Sequence, residues 1–285
     1  MADDLKIIRE LKKTERFESY EVEYKGKRAF AKHAASDNTA VHLIFQKKNS
    51  ETVNNIGAEL VRSPKILVKR DDWIVTEWVG GQPIESLIDT EPEKVARITA
   101  EVVNIFDSQP DSTTPLREIF THAGLAKRVE ERIHPNITTA SAQLFDETIQ
   151  KFRSYESKLQ ACLQDADVQP EHLFIDETGQ AKYVLIDSEH LNTHWPRFYD
   201  LANNYSKYWK RDNRGFARLI LKEYLEITNR SPEEIFEPLA ACLIVRALAL
   251  HWENDYDPGA LDTNIPRSQE LLKLILESEA IVDLL

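Results

Sequence analysis

The chain has 285 residues, 42% of them hydrophobic and 29% charged, enough apolar material to bury a sizeable core as one bilobed domain or two small ones. A formal net charge of -12 argues against general nucleic-acid binding, which needs a basic stripe, and no run approaches the apolar length that spans a bilayer. The charged start Met-Ala-Asp-Asp-Leu-Lys is not a signal peptide, and the two cysteines, Cys162 and Cys242, fall in helix-like apolar patterns, so the expectation is a cytoplasmic protein with reduced core thiols.

The first eighty residues read as strand-rich. Leu5 to Leu11 forms a first strand. Ser19 to Tyr24 alternates aromatic or branched residues with polar ones, and Lys25-Gly26 turns it into a third strand, Lys27 to Lys32. A helix is expected around Glu51 to Arg62, ended by Ser63-Pro64 because proline disfavours helix in the residue before it. Residues 65 to 69 and 73 to 78 form a hairpin over Arg70-Asp71-Asp72. Val79-Gly80-Gly81-Gln82-Pro83 then marks a boundary. Beyond it, apolar residues at three- and four-residue spacing predict helices over 93–106, 116–133, 140–163, 198–209, 216–227, 233–252 and 268–284. The only strands expected there are two short ones, 172–176 and 183–187, joined by Glu177-Thr178-Gly179-Gln180.

That last hairpin carries the chemistry. A hairpin returns its ends to one place, so Asp167, His172 and Asp187 are expected at one mouth. Carboxylates there suit a general base and a Mg²⁺ ligand, two parts that phosphoryl transfer needs beyond phosphate positioning. Asp187 follows the apolar run Tyr183 to Ile186, so its carboxylate emerges at the end of a buried strand, and Mg²⁺ prefers hard oxygen ligands. Glu189 either supports the metal or faces solvent. The acidic set Glu253, Asp255, Asp257 and Asp262 could receive a cationic molecule, although a solvated charge run needs no ligand.

These residues resemble the catalytic core of the aminoglycoside phosphotransferase-like family of the protein-kinase-like superfamily. That family reads His-Gly-Asp-x-x-Pro-x-Asn, then a strand, then Ile-Asp-x-Glu. Here Asp167 matches the catalytic Asp, Pro170 the proline and Asp187 the metal-binding Asp, while Asp165 stands in place of the usual His and His172 in place of the usual Asn. Tyr199-Asp200-Leu201-Ala202 matches the family's Tyr-Asp-Leu-Ala, whose Asp braces the catalytic loop. The resemblance implies an α+β, bilobed protein-kinase-like fold with a small antiparallel-sheet N-lobe (1–78, nucleotide-binding), a hinge (79–83) and a larger, mostly helical C-lobe (84–285) carrying the catalytic hairpin and acceptor site. It further implies ATP or GTP with Mg²⁺ as cofactors, and transfer of the γ-phosphoryl to a hydroxyl of a small molecule, for which a cationic acceptor suits the acidic surface; neither nucleic acid nor membrane is a partner. Lys32 would grip the phosphates and pair with a helix carboxylate, placed at Glu51. Glu77, Trp78 and Val79 would offer backbone groups to the base, Asp167 would act as catalytic base, and Asp187 with His172 would hold the metal. Imidazole is a softer donor than an amide oxygen, so the alternative role for His172 is a hydrogen bond to Asp167.

One segment departs from the pattern. The connection from Lys12 to Glu18 contains no glycine, whereas a loop that covers phosphates needs close approach of its backbone N–H groups. Phe30 shares a strand face with Lys32 and would crowd the roof of an adenine pocket. These departures support a rival expectation, a catalytically silent kinase-like protein that binds a nucleotide or a protein partner without turnover. A kinase acting on protein side chains ranks behind both, because Asp187 and the Tyr199 motif lie too close together for an activation segment.

Overall fold

Alternating apolar and polar residues in the first third of the chain build an antiparallel sheet of five strands, ordered β1-β2-β3-β6-β5. These are β1 (Leu5–Lys13), β2 (Phe17–Tyr24), β3 (Lys27–Ala34), β5 (Ile66–Lys69) and β6 (Trp73–Glu77), with β4 (Val61–Arg62) outside this sheet. The computed structural model describes residues 5–133, 139–252 and 261–285. Lys25 and Gly26 both adopt positive φ (50° and 73°), the backbone that a two-residue hairpin turn requires. On β3, Ala29 and Ala31 are fully buried with Val22 and Val75. Phe30 and Lys32 point to the opposite face.

Helix α1 spans Asp37–Gly57. It starts earlier and stops sooner than periodicity suggested. Ser36 begins it with a capping box: its hydroxyl accepts the Thr39 N–H while Thr39 Oγ1 accepts the Ser36 N–H. The helix ends six residues before Ser63-Pro64, and Val61–Arg62 instead pairs in parallel with β9 (Tyr183–Leu185). That strand pairs antiparallel with β8 (Leu173–Ile175), giving a second, three-stranded sheet. Phe17, Ala34, Leu43 and Ile74 form the core between α1 and the five-stranded sheet.

The rest is mostly helical: α2 (Pro92–Asp107), α3 (His122–Arg132), α4 (Thr139–Tyr155), α5 (Tyr199–Lys210), α6 (Arg214–Ile227), α7 (Pro232–Trp252) and α8 (Leu261–Glu277). Helix α7 is buried almost all round from Leu239 to Leu250, which is why it is apolar on every face. Two expectations change. The long helix expected over 140–163 ends at Tyr155, and Cys162 lies in a strand, β7 (Ala161–Gln164), paired antiparallel with β10 (Asn192–Pro196). The hairpin around Asp187 is therefore not the only strand pair after residue 84. Both cysteines are buried and free. No described helix is long and apolar enough to cross a membrane.

The chain forms two compact units, one of Met1–Ser86 with Pro170–Leu191 and one of Leu87–Gln169 with Asn192–Leu285. The β8–β9 hairpin thus packs with the N-terminal sheet unit: Pro83 bridges Phe174, and Arg62 holds the hairpin's Asp176 through Nε–Oδ2 (2.7 Å) and Nη2–Oδ1 (2.9 Å) bonds.

Candidate functional site

The N-terminal unit contains a cavity of about 470 Å³, within the usual range for small-molecule sites. Its walls come from five places. The β1–β2 turn gives Thr14, Arg16 and Phe17; β3 gives Phe30 and Lys32; the end of β6 gives Glu77, Trp78 and Val79; the hairpin gives Phe174, Asp187 and Glu189. Gln46 and Ser50 of α1 close the remaining side.

Lys32 sits at the centre of its charge pattern. Its side chain is 8% exposed, and Nζ donates to Asp187 Oδ1 at 2.8 Å and to Glu189 Oε2 at 2.6 Å. Burial by itself would lower the ammonium pKa, but the two carboxylates outweigh it and the net shift is upward. Asp187 responds in the opposite sense. Desolvation would raise it, yet Lys32 and the nearby charges of His172 and His190 hold it below the usual carboxylate range. Asp187 itself has left-handed backbone (φ 62°, ψ 40°) at the point where β9 turns into the Ser188–His190 turn. Asn49 of α1 fixes that turn by donating to the Ser188 carbonyl at 2.8 Å.

The helix carboxylate expected for Lys32 requires correction. Glu51 is exposed and meets Lys47 at 3.8 Å, one turn back on α1. With α1 starting at Asp37, the face turned inward carries Gln46, Asn49, Ser50 and Val53, so Glu51 lies on the outer side. Glu189, 6% exposed, is the second carboxylate on Lys32, and Gln46 is one of three inward-facing polar residues of the helix, its Oε1 buried without a hydrogen-bond partner.

The other expected residues fall as follows. Glu77 lines the cavity, but its carboxylate is taken by Arg62 and by the Lys65 N–H. Trp78 is covered by the Arg28 guanidinium, 3.7 Å from its ring centre, and Val79 lines the cavity beside it. His172 ends the Pro170–His172 turn, and its carbonyl accepts the Ile186 N–H at 2.9 Å, which holds it next to Asp187 in the hairpin. Asp167 belongs to the helical unit. The loop around it is tied to α5: Asp200 accepts the N–H of Asp165 (3.0 Å) and of Val168 (3.2 Å), and Asn203 donates to the Ala166 carbonyl (2.9 Å). Full burial pushes Asp200 up to about 7 against those backbone bonds. Glu253, Asp255 and Asp257 lie outside the described residues, as does the side chain of Asp262.

Among the described residues no group of three His, Cys, Asp or Glu side chains is suited to a metal ion. A magnesium-type ion, however, commonly takes one or two carboxylates and completes its shell with phosphate oxygens and water. The hard-oxygen pair Asp187 and Glu189, with the Asp187 side chain 38% exposed, fits that shared kind of site.

The glycine-free connection is shorter than the sequence suggested, because β1 runs to Lys13 and β2 starts at Phe17. Thr14 closes it. Its Oγ1 accepts the N–H of Phe17 (2.9 Å) and of Arg16 (3.3 Å), and its own N–H donates to the Phe17 carbonyl at 2.8 Å.

No protein-family model matches the sequence, and no curated protein does. Solved structures do match. The aminoglycoside phosphotransferase APH(4)-Ia is 14% identical, with 98% of this chain and 95% of that one covered at a TM-score of 0.67. A thermostable mutant of that enzyme, in ternary complex with ADP and hygromycin B, is 13% identical with 97% and 94% covered at 0.66. The choline kinase LicA from Streptococcus pneumoniae is 16% identical with 95% and 92% covered at 0.59. The chain therefore has the protein-kinase-like fold of these structures.

Proposed function

We propose that this protein is a small-molecule phosphotransferase that uses ATP or GTP. The observation that carries the reading is the buried Lys32 bonded to Asp187 and Glu189 in a cavity that the end of β6 also lines. A strand end whose Trp78 and Val79 line the cavity suits a purine edge, and an ammonium next to paired carboxylates suits a metal-bound polyphosphate. The fold's likeness to enzymes named as aminoglycoside phosphotransferases and a choline kinase, one of them solved with ADP, supports the same class.

In this reading the purine lies against Glu77 to Val79 and the phosphates near Lys32. Asp187, with Glu189 or His172 as its companion, would hold Mg²⁺, which would supply charge neutralisation of the phosphates. Asp167 accepts the proton of the acceptor hydroxyl, whose oxygen bonds the γ-phosphorus as the bond to the departing ADP oxygen breaks. Asp200 positions the Asp167 loop. The acceptor is a small molecule with a free hydroxyl, and the acidic surface suits a cationic one. The buried, unpaired thiols agree with a cytoplasmic setting, where nucleotide is abundant.

A second reading has its own support. Thr14 consumes N–H groups of the β1–β2 turn that a glycine-rich loop would direct at phosphates, as expected of a nucleotide-binding protein without turnover. The deciding experiment is transfer from γ-labelled ATP to a panel of aminoglycoside, choline, sugar and nucleoside acceptors by wild type and Asp167→Asn. The enzyme reading expects nucleotide affinity to be kept and turnover to fall ~10²–10⁴-fold. Equal transfer by both proteins would remove Asp167 from the chemistry, and nucleotide binding with no transfer above background by either would leave the binding module as the better account.

A further inference from the structure

The two usual partners of a nucleotide's phosphates are already engaged in the N-terminal unit. Lys32 is neutralised by two carboxylates at 2.8 and 2.6 Å. The β1–β2 turn spends the N–H groups of Thr14, Arg16 and Phe17 on its own closure. A polyphosphate entering this cavity needs another donor.

Arg16 has the position and the chemistry. It lines the cavity, and its side chain is 50% exposed. Among the described residues its one carboxylate contact is Nη2 to Glu189 Oε1 at 3.8 Å, too long for a hydrogen bond, so the planar fork of N–H donors remains available. The turn that holds it is closed by its own hydrogen bonds. Besides the Thr14 bonds, the Arg16 carbonyl accepts the Ala35 N–H at 2.9 Å, and the guanidinium lies over the buried Phe17 ring at 5.3 Å. The same ring is 4.3 Å from Lys32 Nζ, and the Glu189 carboxylate meets both cations. Guanidinium and ammonium are thereby held within the span of a single polyphosphate. A guanidinium fork matches phosphate oxygens two at a time, which an ammonium cannot do.

We infer that Arg16 binds phosphate in this cavity beside Lys32, taking by its side chain the nucleoside triphosphate oxygens that a glycine-rich loop would take by backbone N–H. The inference rests on the nucleotide reading above and gives the glycine-free turn a positive role: Thr14 closes the turn that carries Arg16 at the cavity.

Calorimetric titration of wild type, Arg16→Ala and Arg16→Lys with ATP, inorganic tripolyphosphate and adenosine tests it. Arg16→Ala is expected to weaken ATP and tripolyphosphate by at least about tenfold, the usual scale for a charged hydrogen-bonded contact, and to leave adenosine unchanged. Arg16→Lys should restore only part of the loss, since a point charge lacks the fork. Circular dichroism on each variant confirms the fold. If wild type binds ATP and adenosine and Arg16→Ala binds both as well as wild type does, the role of Arg16 is refuted while the nucleotide reading stands. If wild type binds none of the three, the nucleotide reading itself fails and takes this inference with it.

Discussion

Replacing Glu189 by Gln tests which carboxylate serves Lys32. The change keeps the shape of the side chain and removes its charge. In the folded protein Glu189 Oε2 takes a 2.6 Å bond from an ammonium that is 8% exposed, and Glu189 is itself 6% exposed. Hydrogen bonds to charged groups contribute about 1.5–3 kcal/mol and neutral ones about 0.5–1.5, so the substitution should cost about 1–2 kcal/mol. The amide can still accept from Lys32, and Asp187 remains as counter-charge, which keeps the loss below the about 3–5 kcal/mol typical of breaking a buried pair. Glu51→Gln is the control. Its partner Lys47 is 3.8 Å away, and both side chains are well exposed, at 63% and 59%, so it should shift stability by no more than about 0.5 kcal/mol. Urea unfolding followed by circular dichroism gives both values. A Glu51→Gln loss as large as that of Glu189→Gln would refute the assignment of Glu189 and return Lys32 to the helix.

Two further outcomes follow from the same geometry. Asp187→Ala should abolish the tightening of ATP binding by Mg²⁺, because Asp187 is the more exposed of the two hard-oxygen donors; titrations with and without Mg²⁺ check this, and surviving metal dependence would show the ligand to lie elsewhere. His251, packed edge-on to Phe145 at 4.9 Å, is pushed down to about 4 by burial, so the unfolded chain takes up a proton first as pH falls below about 6.5. Stability should drop between those pH values by about 3 kcal/mol, and His251→Gln should flatten that part of the urea-derived stability profile; an unchanged slope would contradict it.

The parts legible in the sequence are those set by local pattern. Ser19 to Tyr24 alternates cleanly, Lys25-Gly26 is a turn, and the apolar Ala29-Phe30-Ala31 run follows it, so β2 and β3 and the shared face of Phe30 and Lys32 are readable. The Asp187 hairpin was readable because its apolar strands are bounded by polar turns. Helix α1 was harder. Val41, Ile44 and Phe45 lie exposed on it, so its first half carries no single apolar seam, and the one usable signal was the Ser36–Thr39 cap. A helix expected to start fourteen positions later leaves Gln46, Asn49 and Ser50 outside it, so its inward face is not legible from the pattern. Strand β7 was lost because four residues following a helix carry too little pattern to separate strand from helix. The Lys32–Glu189 pair joins residues 157 positions apart, and the closure of the turn by Thr14 depends on its final length; neither has a local signature.

The most direct test of the central claim is amide hydrogen exchange with and without ATP and Mg²⁺. The account predicts slowed exchange in three segments that wall one cavity: the β1–β2 turn around Thr14 to Phe17, the strand end and boundary from Glu77 to Pro83, and Ile186 to Glu189. Protection confined to the helices of the second unit, with these three segments unchanged, would contradict it.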